Sequence, residues 1–119
     1  MAQENLYKEC DKTALLSLHD ALNILKGKWE VPVIGLLLEQ KRRFNEMKKS
    51  LHGITPRQLS NVLNNLEMNG IVLRRSNQFS TGDFCEYELT PSGYRLENLI
   101  FEIVKWGRQH RRIYFSQNQ

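Results

Sequence analysis

The stretch from about residue 44 to residue 69 constrains the fold more than any other part of the sequence. Apolar residues at helical spacing predict a short helix that ends at Gly53. Thr55 is a favoured N-cap and Pro56 is favoured at the first helical position. A second helix is therefore predicted from about Thr55 to Asn69, where Gly70 supplies the stop. Together these signals predict a helix-turn-helix.

The remaining sequence predicts further helices and a single hairpin. Leucines recur at spacings of three and four in the first helix, and the runs that follow residue 70 alternate in the manner of strands. Thr90-Pro91 repeats the cap-then-proline signal and starts a last helix. The predicted elements are a helix from Lys12 or Thr13 to Gly27, a helix from about Glu30 to Glu39, an extended link at Arg42–Phe44, the helix-turn-helix, strands at Ile71–Arg75 and Phe84–Leu89, a loop at Ser76–Asp83, and a helix over about 91–115.

A hairpin that directly follows a helix-turn-helix is a wing, here about residues 71–89. We therefore predict a mostly α fold with a small β-hairpin wing (α+β), a winged helix-turn-helix that dimerises through its terminal helices. The length of 119 residues suits one domain that spans residues 1–119. The longest apolar run, Val31–Leu38, is too short to span a bilayer, and the N-terminus lacks the apolar core of a signal peptide. We expect no membrane association and a cytoplasmic location.

Basic residues are concentrated in one quarter of the chain. The whole chain has 17 Lys and Arg against 13 Asp and Glu, a net charge of +4. Such a local excess can form a phosphate-facing surface, although a solvated face explains it as well. From residue 26 to residue 57 the bases are Lys26, Lys28, Lys41, Arg42, Arg43, Lys48, Lys49 and Arg57, and the acids are only Glu30, Glu39 and Glu46.

The exposed face of the Thr55–Asn69 helix carries side chains suited to base edges. A turn of 100° per residue places Arg57, Asn61 and Asn64 opposite the apolar residues, with Met68 on the same face. Arg pairs with guanine, and Asn or Gln pairs with adenine. Asn is a poor helix former, which favours a reading function over a solvated surface. Ser60 and Gln58 flank this face and complete the predicted base-reading set.

Other residues are candidates for contacts to the DNA backbone. Thr55 lies where a helix N-terminus can meet a phosphate, and capping is its alternative role. Arg43 and Lys28 are basic residues near the base of the domain. Arg74 and Arg75 lead into the wing, and strand alternation points them to opposite faces, so one of them can reach a groove or its phosphates. Each of these four charges is otherwise a surface residue.

No catalytic or metal-binding pattern is present in the sequence. The three histidines are scattered without a Cys or an acid at ligand spacing, so we expect no metal site. There is no nucleophile–base pair and no glycine-rich phosphate loop, so we expect no enzyme activity. Cys10 and Cys85 are too far apart for a metal knuckle. We assign Cys85 to strand packing.

The terminal helices carry more apolar residues than one small domain needs. This excess predicts a homodimer in which terminal helices of two copies pack together, the alternative being a core within one chain. The residues assigned to the dimer interface are Leu15, Leu18, Leu96, Leu99, Ile100, Ile103 and Val104.

The order and spacing of several short motifs resemble the HxlR-type branch of the MarR-like winged-helix regulators of bacteria. The resemblance covers Cys10 to Trp106. Where the family usually has a Pro before the Glu-Tyr pair, this chain has Asp83-Phe84-Cys85. The matching motifs are Gly27-Lys28-Trp29, Arg43-Phe44-Asn45-Glu46-Met47, Gly53-Ile54-Thr55, Leu59-Ser60, Leu63, Leu66-Glu67, Asn69-Gly70-Ile71-Val72, Glu86-Tyr87-Glu88-Leu89-Thr90 and Gly93.

The resemblance implies a homodimer that binds a palindromic operator in double-stranded DNA and controls transcription, more commonly as a repressor, with no cofactor. Cys10 lies where the family often carries a cysteine, which some members use as a redox or electrophile sensor. The alternative for Cys10 is a small buried residue near the dimer interface. Two other functions stay open: a winged helix that mediates only protein contacts, and a thiol-dependent enzyme. The sequence does not identify the effector.

Overall fold

The computed structural model describes residues 12–76 and 85–116, and side chains as far as residue 114. The predicted hairpin loop at Ser76–Asp83 lies almost entirely outside the described residues, and so does the start of the predicted second wing strand. The described elements are α1 (Lys12–Leu25), α2 (Glu30–Glu39), β1 (Arg42–Arg43), α3 (Phe44–Ser50), α4 (Pro56–Met68), β2 (Val72–Arg75), β3 (Glu86–Leu89), α5 (Pro91–Tyr94) and α6 (Glu97–Ser116). The fold is mostly helical with a small antiparallel sheet, as the sequence predicts.

The core lies between α2, α3, α4 and the base of the sheet. Side chains of α2 are its centre: Val33, Ile34 and Leu37 are completely buried. Pro32 is accommodated in the first turn of α2, where its missing N–H leaves no intrahelical hydrogen bond unmade. The other buried apolar residues are Met47, Leu51, Ile54, Leu59, Val62, Leu63, Leu66, Ile71, Val72, Leu89 and Ile100. No helix among the described residues is long and apolar enough to cross a membrane.

Both ends of α4 are set by local sequence. At its start, Thr55 is the N-cap and Pro56 occupies the first turn. At its end, the N–H of Ile71 donates to the carbonyl of Leu66 at 2.9 Å, and that of Gly70 donates to Glu67 at 3.1 Å. This pair of hydrogen bonds is a Schellman motif, and Gly70 adopts the positive φ of 73° that the motif requires. The predicted helix is therefore confirmed to within one residue at each end.

The sheet has three strands in the order β1-β3-β2, with both pairs antiparallel. The predicted hairpin is confirmed, with Val72 opposite Leu89 and Arg75 opposite Glu86. The prediction of an extended link over Arg42–Phe44 was incomplete. Arg42 and Arg43 form a short strand on the free edge of β3, and Phe44 is already the first residue of α3. A two-residue strand has too few positions to show alternation, so the sequence carries no signal for it.

The base of the wing is tied to the turn that follows α4. The hydroxyl of Thr90 donates to the carbonyl of Gly70 at 2.6 Å and accepts from the N–H of Gly93 at 3.0 Å. The backbone N–H of Thr90 also donates to Ile71 at 2.9 Å. These hydrogen bonds fix the end of α4, the predicted reading helix, relative to the end of the second wing strand, β3.

The single last helix predicted from residue 91 onward is two helices. A turn at residues 95 and 96 separates α5 from α6. Leu96 packs against the core from this turn, and Ile100 is buried within it at 8% exposure. The break lets these two side chains reach the core while the rest of α6 leaves the domain.

Candidate nucleic-acid interface

The exposed face of α4 is the one the sequence predicts. Four apolar residues of this helix are buried, whereas Arg57, Asn61 and Asn64 are exposed. No hydrogen bond or ion pair joins these three side chains to any described residue. Their donors and acceptors are therefore available to an external partner. The buried residues of α4 are Leu59, Val62, Leu63 and Leu66.

Thr55 and Gln58, each predicted to contact DNA, bind each other in a capping box at the start of α4. The N–H of Gln58 donates to the Thr55 hydroxyl at 3.1 Å, and the N–H of Thr55 donates to Gln58 Oε1 at 2.9 Å. The capping role of Thr55 is therefore present in the structure. Gln58 was predicted to read bases, but its amide oxygen is turned back onto the helix start. Its Nε2 donors and the second lone pair of Oε1 remain for an external partner, so base reading by Gln58 stays a prediction.

An open groove of about 960 Å³ runs between the start of α3, the reading helix and the inner face of the wing. The reading helix contributes Ser60 and Asn64, so both predicted residues line the groove. Arg43 and Arg74 line it from the opposite elements. The other lining residues are Gln40, Lys41, Phe44, Asn45, Glu46, Cys85, Glu86 and Tyr87. The groove brings together predicted DNA contacts that are separated in sequence.

Arg74 and Arg75 point to opposite faces of the wing, as strand alternation predicts. Arg74 lines the groove, and its Nε donates to the Cys85 Sγ at 3.4 Å. This hydrogen bond raises the pKa of Arg74. Arg75 instead forms an ion pair with Glu88 on the outer face. Only Arg74 is therefore directed towards the reading helix.

Tyr87 lies opposite Arg74 across the β2–β3 pair and lines the same groove. Partial burial raises the pKa of Tyr87, and the nearby Arg74 opposes that rise. The phenol is neutral at physiological pH, as in any tyrosine with an unperturbed pKa, and can donate a hydrogen bond. Sequence reasoning did not identify Tyr87 because the alternation of β3 marks it only as an inward-facing residue, like Leu89.

Arg43 and Lys28, the other two basic residues predicted to contact the DNA backbone, lie in different parts of the domain. Arg43 precedes α3, is exposed and lines the groove, and its N–H donates to Glu46 Oε1 at 2.9 Å. Lys28 lies in the bend between α1 and α2, outside the groove. Its Nζ is 5.1 Å from the centre of the Trp29 ring, which is a cation–π contact. Arg43 is therefore placed with the reading helix, whereas Lys28 is not.

Cys10, the predicted sensor, lies outside the described residues. Cys85 is half-buried just before β3 and lines the groove, so it does more than pack against the strand. Among residues 12–76 and 85–116, no group of three His, Cys, Asp or Glu side chains could hold a metal ion.

The residues assigned to a dimer interface divide into two groups. Ile100 is buried in the core of its own chain, which corrects its assignment, whereas Leu96 is half-buried against that core and its part in an interface stays a prediction. Both residues continue the helical spacing of the exposed ones, although Leu96 lies in the turn before α6, which is why the sequence did not separate them. The exposed group comprises Leu15 at 47%, Leu18 at 45%, Leu99 at 44%, Ile103 at 49% and Val104 at 43%.

Comparison with known proteins agrees with this geometry. The model of the HxlR-like helix-turn-helix family matches residues 24–114. The HTH-type transcriptional regulator YybR of Bacillus subtilis (strain 168) is 33% identical over 90 residues, which are 76% of this chain and 71% of the relative. The regulator BH0655 of Halalkalibacterium halodurans is 36% identical over 87 residues, 72% of this chain and 76% of the relative.

Solved structures share the fold over most of its length. The redox regulator HypR in its reduced form superposes with a TM-score of 0.76 at 31% identity, covering 84% of this chain and 98% of that chain. Quinone-bound YodB from B. subtilis superposes with a TM-score of 0.68 at 27% identity, covering 78% of this chain and 96% of that chain. The named relatives are regulators rather than enzymes.

Proposed function

The chain belongs to the HxlR-like helix-turn-helix family of DNA-binding transcriptional regulators, and we propose that it acts as a homodimeric repressor of a palindromic operator. The observation that carries this proposal is the exposed face of α4, where Arg57, Asn61 and Asn64 stand unpaired among the described residues. Arg57 would pair with guanine and the asparagines with adenine in the major groove. Occupancy of the operator would exclude the polymerase from the promoter.

The groove beside α4 supports a path for one DNA strand. Arg43 and Arg74 line it on the sides away from the reading helix, and Ser60 lines it on the helix itself. Guanidinium groups at these positions can bind phosphate oxygens. Such contacts fix the register of the protein on the DNA without reading its sequence. The N–H of Arg57 would supply a further phosphate contact at the start of α4, since Pro56 has no N–H and the capping box takes those of Thr55 and Gln58. Arg75, held by Glu88, has a smaller part in this scheme.

The state of α1 supports the homodimer. None of the 14 residues of this helix is buried, although Leu15, Leu18 and Leu22 form one exposed apolar stripe. An isolated helix of this length is marginal in water, so packing against another surface is needed to hold it. Leu99, Ile103 and Val104 of α6 expose a second apolar surface. A second copy would cover both surfaces and bring the second reading helix that a palindrome requires.

We also propose that an oxidant or an electrophile controls DNA binding through the Cys10 thiol. The support comes from relatives: HypR is a redox regulator with reduced and oxidised structures, and YodB has been captured with a quinone. Cys85 offers a matched control because it is the second cysteine of the chain. Cys10→Ser should abolish the response to a quinone or to diamide, and Cys85→Ser should retain it.

The test of the main proposal is selection of bound sequences from random DNA duplexes, with and without a thiol oxidant. An enriched inverted repeat is expected, and its absence would overturn the proposal. Gel shifts on the selected duplex should then show weaker binding by Arg57→Ala and Asn61→Ala. Unchanged affinity of both variants would favour the alternative in which the winged helix mediates only protein contacts. Equal binding with and without oxidant would overturn control through Cys10.

A further inference from the structure

Met68 is the most exposed large hydrophobic side chain among the described residues. It is 87% exposed, whereas the next values are 65% for Phe101 and for Trp106. Unlike those two aromatic residues, Met68 lies on the reading helix, at its last position. An apolar side chain left in water at this place has no role in the core of its own chain.

The position of Met68 around the helix axis is specific. At 100° per residue it falls between Asn61 and Asn64, at the centre of the exposed face and opposite the buried side. Its neighbours on the surface of α4 are polar, including Asn65, so Met68 is not part of an apolar patch. A single apolar group within a polar reading face fits a ligand that presents a small apolar group among polar ones.

The major groove of DNA presents such a group. Thymine is distinguished there by its 5-methyl group, and the polar side chains of α4 cannot read that feature. Methionine is long, unbranched and polarisable, so it adapts to an apolar contact without strict geometry. Met68 is four residues beyond Asn64, which is about 6 Å along the helix axis. That distance corresponds to roughly two base pairs.

We propose that Met68 is a specificity-determining residue that packs against a thymine 5-methyl group in each half of the operator. The proposal rests on the proposed function, in which α4 lies in the major groove. It adds an apolar contact to the hydrogen-bonding set and places that contact about two base pairs from the base read by Asn64. The backbone position of Met68 is defined because the Schellman motif at Gly70 fixes the last turn of α4.

The test uses the operator found by selection, with deoxyuridine replacing each thymine in turn. Uracil keeps the hydrogen-bonding pattern of thymine and lacks only the methyl group. One thymine in each half-site should matter. Its replacement in one half-site should lower the affinity of the wild-type protein about fourfold, the effect of one buried methyl-sized group, and replacement in both half-sites should lower it about fifteenfold. Met68→Ala, which changes both subunits, should bind the thymine duplex about as weakly as wild type binds the duplex with uracil in both half-sites. The affinity of this variant should not fall further on the uracil duplex.

Two further variants separate the methyl contact from a general effect on α4. Met68→Leu should keep the sensitivity to uracil, and Met68→Gln, of similar length but polar, should lose it. Because Met68 is exposed, all three variants should unfold at the same urea concentration as wild type. Met68→Ala that remains as sensitive to uracil as wild type would overturn the proposal, and so would a wild-type protein insensitive at every thymine. Failure of the proposed function is a different result, namely no enriched operator.

Discussion

Thr55 and Gln58 bind each other reciprocally at the start of the reading helix. Each backbone N–H donates to the other residue's side chain, at 3.1 Å to the Thr55 hydroxyl and at 2.9 Å to Gln58 Oε1. Two N–H groups that a helix start leaves without partners are thereby satisfied. Arg57 lies between them, so the capping box defines the backbone from which the first reading side chain projects.

Loss of the cap should destabilise the whole domain. Thr55→Ala removes the acceptor for the Gln58 N–H, and we expect the free energy of unfolding to fall by about 1 kcal/mol. Thr55→Ser keeps the hydroxyl and should stay within about 0.5 kcal/mol of wild type. Urea denaturation followed by circular dichroism measures both. Equal stability of the alanine variant and wild type would mean that the capping box contributes nothing to folding.

The two wing arginines should differ in their effect on DNA binding. Arg74 lines the groove beside the reading helix, whereas Arg75 is paired with Glu88 on the outer face. Arg74→Ala should weaken binding to all duplexes and reduce the slope of log affinity against log salt by about one. Arg75→Ala should change that slope much less. Fluorescence anisotropy across a salt series measures both slopes, and a larger change for Arg75 would contradict the placement of Arg74 on the DNA side.

Gly93 should tolerate no side chain. A Cβ at this position would lie 2.5 Å from the carbonyl oxygen of Ile71 and 3.1 Å from Leu89 side-chain atoms. The Ile71 oxygen is a backbone atom and accepts a hydrogen bond from the N–H of Thr90. It therefore cannot move without disturbing the base of the wing. Gly93→Ala should therefore lower the free energy of unfolding by roughly 1–3 kcal/mol.

Gly35→Ala is the matched control for this substitution. Gly35 lies within α2, and a Cβ there meets no atom within 4 Å. Alanine should stabilise the helix by up to about 1 kcal/mol because glycine loses more backbone entropy on folding. Thermal unfolding of both variants gives the comparison. A similar loss of stability in Gly93→Ala and Gly35→Ala would show that close packing at Gly93 is not the cause of the destabilisation.

The sequence predicted those parts of the fold that depend on local signals. The bounds of α4 follow from Thr55, Pro56 and Gly70, each of which acts within one turn of the helix. The β1 strand was missed because its partner, β3, is more than forty residues away in the chain. The capping role of Gln58 was missed for a similar reason, since helical periodicity places a side chain on a face but does not show that it folds back to a cap. Its contact with DNA stays a prediction.

The apolar residues of α6 show the same limit. Leu96 in the turn before α6, Ile100 and the exposed residues of α6 all recur at helical spacing, and only packing against the core separates the first two from the rest. Hydrophobic periodicity reports that a helix has an apolar side. It does not report how much of that side its own domain can cover.

The exposed stripe of α1 should decide whether the protein is a dimer. Leu18 is 45% exposed between Leu15 and Leu22. Leu18→Lys places a charge within the proposed interface, where a second copy would have to desolvate it. Sedimentation velocity should show a dimer for wild type and a monomer for the variant at micromolar concentration. Affinity for a full palindrome should fall, because two linked half-sites are then bound by separate chains.

Asp20→Lys provides the control for this substitution. Asp20 lies on the same helix but is turned away from the leucine stripe, and it is exposed. The same lysine at this position should leave the sedimentation coefficient and the affinity for the palindrome close to wild type. A Leu18→Lys protein that remains dimeric would place the interface elsewhere and would leave the exposed leucines of α1 without a partner.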